Sequence, residues 1–322
     1  VILAKKQYPE ANYDFLASYV FSRHLAPQEQ RDYLHLMELA RIKKAGNPIY
    51  EPIFHQLLNL FVLNGSRLET LSRLDRRIRG LVEGQDSLAL ISGSSGIGKT
   101  SLVMSLQERI GQLGATLIGA RCSEQADMPF EVWHNTALAA TSMGGIDLDE
   151  LPAPIGGGRD MTSVQHLVQA LSTWLDKWTA SGPLVVLLDD LHWADMDSLN
   201  VLNDLTNRDN KSPVLFIGTY RSEERNLGHP FYDYWPKLQR NRLFDHLHLQ
   251  PLTEDDILRL VNSYHGPSSL PLASYLFNRA EGHPLFTMTL LNNLIEEGLL
   301  VRSSDGYWLP PAASIPVPTI LR

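Results

Sequence analysis

The sequence predicts an α/β protein, with a parallel sheet flanked by helices and then a wholly helical segment. Three observations carry this. Short β-rich apolar runs alternate with helix-length stretches from about residue 64 to 250, the pattern of strands joined by helical crossovers. The run Leu88-Ala89-Leu90-Ile91 leads into the glycine-rich stretch Gly93-Ser94-Ser95-Gly96-Ile97-Gly98-Lys99-Thr100, and helix-forming residues follow from Ser101 to Ile110. A second run, Leu184-Val185-Val186-Leu187-Leu188, is apolar without alternation, as a strand covered on both faces should be, and ends in Asp189-Asp190.

A chain of 322 residues can bury two or three cores. Its single cysteine, Cys122, cannot form an internal disulfide, which fits a reducing, cytoplasmic setting and a role as a small buried hydrophobe. A net charge of −8 argues against a surface built for nucleic acid or anionic lipid. Contact with nucleic acid is expected only through a domain outside this stretch. No apolar run approaches a membrane span, and Val1-Ile2-Leu3-Ala4 meets Lys5-Lys6 too soon for a signal sequence. The chain begins without Met and stops at Ile320-Leu321-Arg322, so it is expected to be a fragment of something longer.

Residues 1–63 are expected to form a helical N-terminal segment, with apolar residues at helical spacing from Asn12 to Leu63 and a stop at Ala45-Gly46-Asn47-Pro48. A nucleotide-binding domain is expected over 64–250. It opens on an amphipathic helix, in which Leu68, Leu71, Leu74, Ile78 and Leu81 make one stripe and five arginines lie mostly off it. The first strand and the glycine stretch follow. Glycines there let backbone N–H groups turn inward around phosphate oxygens, and the helix N-terminus adds its positive end. This is the context of a P-loop: Gly93 to Thr100, with Ser101, would cradle the phosphates of ATP or ADP, Lys99 would reach the β- and γ-phosphates, and the Thr100 hydroxyl would ligate Mg²⁺.

Ala115 to Ala120 suits a second strand, Pro129 to Thr141 a helix, Met143 to Asp160 a long glycine-rich loop, and Met161 to Ala180 another helix. At the end of the next strand, Asp189 would hold Mg²⁺ and Asp190 would orient or deprotonate an attacking water. Val214 to Thr219 is a further strand, and the cation Arg221 just beyond it can face a γ-phosphate. Leu243 to Leu249 supplies the last strand. From Pro251 the pattern is helical to about residue 298, opened by the capping pattern Thr253-Glu254-Asp255-Asp256, and is expected to be a lid. Residues 299–322, with Asp305-Gly306 between apolar arms, look like a hairpin opening a truncated, winged-helix-like further domain.

The P-loop, Leu188-Asp189-Asp190-Leu191-His192-Trp193-Ala194-Asp195, Gly218-Thr219-Tyr220-Arg221 and Gly282-His283-Pro284-Leu285-Phe286 occur in that order. In this the chain resembles the STAND-type P-loop ATPases, above all those of large ATP-binding LuxR-type regulators and of cyclase- or kinase-linked predicted ATPases. The resemblance covers about Asn64 to Leu309. It implies that Lys99 and Thr100 form the Walker A pair, Asp189 and Asp190 the Walker B acids, Arg221 a sensor arginine, and Pro284 a lid proline that packs against adenine. One departure stands out. Where the family places glycine-arginine-glutamate, this chain reads Gly65-Ser66-Arg67-Leu68-Glu69, and only Gly65 and Glu69 keep register.

Two functions remain open at this level. One is a slowly hydrolysing ATP-dependent switch inside a larger signalling or transcription-regulatory protein, with self-association or a partner protein engaged through domains beyond this chain. The other is a scaffold module that keeps nucleotide as a structural ligand. A kinase or transferase would need a second constellation to accept a phosphoryl group, and none is visible.

Overall fold

The computed structural model describes residues 67–82, 87–124, 129–143, 164–208, 212–222, 230–240, 244–265, 270–303 and 306–308. The helical segment expected before residue 64, most of the expected loop at 143–160 and the end of the chain after residue 308 lie outside them. The described residues fall into two compact units. One comprises Arg73–Ser92 and Leu106–His248, and the other comprises residues 67–72, Gly93–Ser105 and the chain from Leu249 onward.

The first unit holds the sheet. Its strands are β1 (Ser87–Gly93), β2 (Thr116–Arg121), β3 (Leu184–Asp189), β4 (Val214–Arg221) and β5 (Phe244–His248), in the order β2-β3-β4-β1-β5. The sheet is parallel, with β2 paired to β3, β3 to β4, and β1 to β5. Parallel neighbours cannot be joined by a hairpin, so each link carries a helix. In chain order these are α1 (Leu68–Val82) before the sheet, α2 (Lys99–Ser105) and α3 (Gln107–Gln112), α4 (Glu131–Ser142) and α5 (Val164–Thr179), α6 (Met196–Thr206), and α7 (Pro230–Leu238). The single helix expected from Ser101 to Ile110 is therefore two, divided at Leu106. Helices α6 and α7 have no counterpart in the sequence reading.

Val185, Val186, Leu187 and Leu188 of β3 are all buried to within 1% exposure, which explains the absence of alternation in that run. The core around them includes Trp133, Leu171, Trp174, Leu199 and Phe216. Trp133 meets Phe216 edge-on at 6.2 Å between ring centres. Its indole Nε1 donates to the Ser198 carbonyl at 3.1 Å, satisfying the one polar group it brings inside. The predicted stripe of α1 is buried from Leu71 to Leu81, and Arg73 and Arg77 reach from that helix to Asp245 on β5. The arginines of α1 thus include partners for the sheet edge.

The second unit has its own core of Leu252, Ile257, Val261, Leu272, Leu276, Leu290 and Leu291. Leu252 precedes α8 (Glu254–His265), and the others come from that helix, α9 (Leu270–Ala280) and α10 (Pro284–Glu296), the three helices where a lid was expected. Helix α8 is opened by reciprocal bonds. The Asp256 amide donates to Thr253 Oγ1 at 3.2 Å, and the Thr253 amide donates to Asp256 Oδ2 at 2.9 Å. The predicted hairpin is present as antiparallel β6 (Val301–Ser303) and β7 (Gly306–Trp308). No helix among the described residues is long and apolar enough to cross a membrane.

Candidate nucleotide site

The expected site residues divide between the two units. In the sheet unit, Asp189 is the last residue of β3 and Arg221 the last of β4. Asp190 leaves the strand in the left-handed region, at φ 54 and ψ 44, a conformation that Asp tolerates better than most residues with a Cβ. The turn Leu191–Trp193 follows, with His192 buried and its ring tilted against Trp193 at 4.9 Å between centres. Leu191 packs so closely on Gly218 that a Cβ there would lie 2.8 Å from it and 2.5 Å from Leu90. The glycine in Gly218-Thr219-Tyr220-Arg221 is thereby explained by packing.

One hydroxyl bonds both residues of the Asp pair, the first through its carboxylate and the second through its backbone amide. Thr219 Oγ1 donates to Asp189 Oδ1 at 2.6 Å and accepts the Asp190 amide at 3.0 Å. Thr219 is fully buried, so its rotamer is fixed by the sheet. Arg121, at the end of β2, closes on Asp190 Oδ2 at 2.8 Å. The next residue, Cys122, donates its amide to the Asp189 carbonyl at 2.9 Å. Burial, with the negative charges of Asp189 and Asp190 adding to it, pushes the Cys122 thiol well above its ordinary pKa, so the thiol stays protonated and inert. Tyr232 donates to the Arg221 carbonyl at 2.6 Å, holding the end of β4.

In the other unit, the glycine loop runs from Gly93 to Gly98, and α2 begins at Lys99. Gly96 and Gly98 have φ of 76 and 97, so two of its peptides lie in a region that side chains disfavour. Ile97 between them is buried, and its amide returns to the Ser94 carbonyl at 3.3 Å. Lys99 is 7% exposed. Its Nζ donates to the Gly93 carbonyl at 2.9 Å and the Ser94 carbonyl at 2.8 Å, so the ammonium is held at the loop itself. This is a donor-lined turn with a cation at a helix N-terminus, chemistry that suits a polyphosphate. In the sheet unit, a carboxylate pair at a strand end has the donor chemistry of a hard divalent cation site.

Two residues touch the loop from outside. His283 Nε2 lies 2.8 Å from the Ser95 carbonyl, and Arg67 Nη2 donates to the Ile97 carbonyl at 3.1 Å. A bond to a carbonyl needs a donor, so His283 carries hydrogen on Nε2. Arg67 is 4% exposed. Desolvation lowers its pKa to about 10, against the opposing pull of Asp256, and it remains a cation at neutral pH. From the sequence, His283 stood in the motif around Pro284, and Arg67 among the five arginines of the first helix and in the departure from the family's motif; neither was assigned to the loop. Pro284 is buried at the start of α10, whereas Leu285 and Phe286 beside it are 53% and 40% exposed.

Residues 66–217 match the family of AAA ATPase domains. This part of the chain, a little under half of its 322 residues, is similar to AAA ATPase domains. Among solved structures, the chain is similar to a signal transduction ATPase with numerous domains that carries a tetratricopeptide repeat sensor, from Pyrococcus horikoshii. Identity is 14% and the TM-score 0.43, over 73% of this chain and 40% of that one. It is also similar to Cdc6p from Pyrobaculum aerophilum, at 14% identity and a TM-score of 0.49, over 74% of this chain and 66% of that one. The chain thus spans less than two thirds of the length of either. No curated protein matches it. The matched stretch includes the glycine loop, both acids of the Asp pair and the first half of β4, and it ends before α8.

Proposed function

We propose that the chain is the nucleotide-operated part of a larger STAND-type regulatory protein: it binds ATP with Mg²⁺, hydrolyses it slowly, and uses the nucleotide state to set the lid. The observation that carries this reading is the bond from His283, at the start of α10, to the Ser95 carbonyl of the glycine loop. A switch requires different contacts in its two states, and here a lid residue already holds the element that would carry the phosphates.

Roles follow from chemistry. Lys99 neutralises phosphate charge, and loop amides from Gly93 to Thr100, with Ser101, supply hydrogen bonds. Thr100 and Asp189 hold Mg²⁺, which when bound supplies Lewis-acid polarisation of phosphate oxygens. Asp190 accepts the proton of the attacking water, and Arg221 faces the charge that develops on the γ-phosphate. Pro284 borders the base. The exposed Leu285 and Phe286 next to it give the reading an apolar surface of the right kind for a purine.

Asp190→Asn tests the reading, because an amide cannot accept the proton but preserves size. Mg-ATP should remain bound while conversion of bound ATP in a single turnover slows by about a hundredfold or more. Equal single-turnover rates in wild type and variant would remove Asp190 from catalysis. A wild type that binds ATP and never converts it would favour the scaffold reading.

A further inference from the structure

We infer that Arg67 and His283 are positioning residues for the phosphate cradle, acting on it from behind through its carbonyls. The inference rests on the nucleotide reading above and assigns to that site two residues outside the glycine loop.

A trans peptide unit is planar, and its C=O and N–H point in opposite directions. Whatever holds a carbonyl therefore aims the next residue's amide the other way. His283 holds the Ser95 carbonyl at 2.8 Å, which aims the Gly96 N–H away from the lid residue. Arg67 holds the Ile97 carbonyl at 3.1 Å, which aims the Gly98 N–H away from the guanidinium. Gly96 and Gly98 both have positive φ, and with no Cβ their flanking peptides would otherwise rotate readily. The cradle needs its amides to converge on an anion, so peptides fixed before the anion arrives spare it the cost of ordering them.

Both clamps are themselves fixed. Arg67 is 4% exposed, and the charge of Asp256, whose carboxylate accepts the Thr253 amide at the start of α8, acts on it. His283 follows Gly282, whose carbonyl accepts the Leu252 amide at 2.7 Å; a Cβ on Gly282 would run into the Leu252 carbonyl. The His283 ring also stacks on Phe286 at 4.4 Å. At the loop, a Cβ on Gly96 would stand 2.8 Å from Leu285 and 3.1 Å from His283, so the turn and the start of α10 are in van der Waals contact. Because the same peptide orientation serves the clamps and the anion, phosphate binding and the His283 contact strengthen each other, and by linkage the lid senses phosphate through the loop's carbonyls.

The test is calorimetric titration of ADP and of inorganic pyrophosphate into the purified chain and its variants. His283→Met and Arg67→Met remove the donors at similar bulk, and each should weaken both ligands by about three- to tenfold. His283→Gln places an amide donor near the position of Nε2 and should recover most of the loss, as Arg67→Lys should in part. A purely structural role would not distinguish His283→Gln from His283→Met when both are folded. If Arg67→Met does not fold, the half-buried His283 pair decides alone. Wild-type affinity in folded His283→Met, or no recovery in His283→Gln, overturns the inference and leaves the nucleotide reading standing. Failure of the wild type to bind either ligand overturns both.

Discussion

The acid end of β3 and the glycine loop are built on opposite plans. Asp189 and Asp190 are set by their own sheet: a buried hydroxyl one strand away, a backbone amide from the chain after β2, and an ion pair from the end of β2. The loop is set by side chains acting on its carbonyls, one from the residue before α1 and one from the start of α10. The difference teaches where rigidity comes from. A strand end inherits order from the ladder and the core beneath it, while a glycine turn has no side chains to pack and must borrow order from elsewhere.

The comparison is broken most forcefully by emptying the core under the acids. Trp133→Ala removes a 1%-exposed indole and its bond to Ser198, and should cost about 3–5 kcal/mol in urea unfolding of the sheet unit. A loss below ~1 kcal/mol would mean that the strand end does not depend on that core.

A finer cut is Thr219→Val, which keeps the shape and deletes the hydroxyl shared by both acids. The buried Asp190 amide then loses its acceptor, and the expected cost is about 1–3 kcal/mol. The Mg²⁺ dependence of ATP binding should weaken with it. An unchanged Mg²⁺ dependence would show that Asp189 needs no orientation from β4.

The smallest effect belongs to Asp75, on the outer face of α1, which pairs with Arg79 at 2.6 Å and Arg109 at 2.9 Å. Partial burial raises its pKa, but the hydrogen bonds and charges of Arg109 and Arg79 outweigh this and leave it below the ordinary 3.8. A depressed carboxylate contributes stability that is complete above its unfolded pKa and lost as pH falls through the folded one. Wild type should therefore exceed Asp75→Asn by about 0.5–1 kcal/mol near neutrality, with the gap closing below pH ~4. A gap independent of pH would assign the effect to packing rather than charge.

How much of this was legible in the sequence follows from the same contrast. The strands, the glycine loop and the Asp pair are contiguous patterns of apolar runs, glycines and acids, so the parallel α/β class and the capping of α8 could be read directly. Helix α6 could have been read too: Asp195 caps it by accepting the Ser198 amide at 2.8 Å, but Asp195 was absorbed into the motif around the acids. Helix α7 includes Pro236, which masks its helical character. The division of α2 from α3 at Leu106 has no breaker residue to announce it. Arg67 and His283 were illegible as a pair because their targets lie 30 and 188 residues away, and no local pattern encodes a side chain reaching a distant carbonyl. Thr219 was quoted within a motif, but its hold on both acids depends on strand register, which the sequence does not display.

The central claim, that the glycine loop and Lys99 receive nucleotide phosphate, is tested most directly by titrating ATP with Mg²⁺ into wild type and Lys99→Ala. Loss of a charge-assisted contact of about 1.5–3 kcal/mol predicts an affinity ten- to a hundredfold weaker in the folded variant. ATP binding of equal affinity in the two proteins would contradict the account.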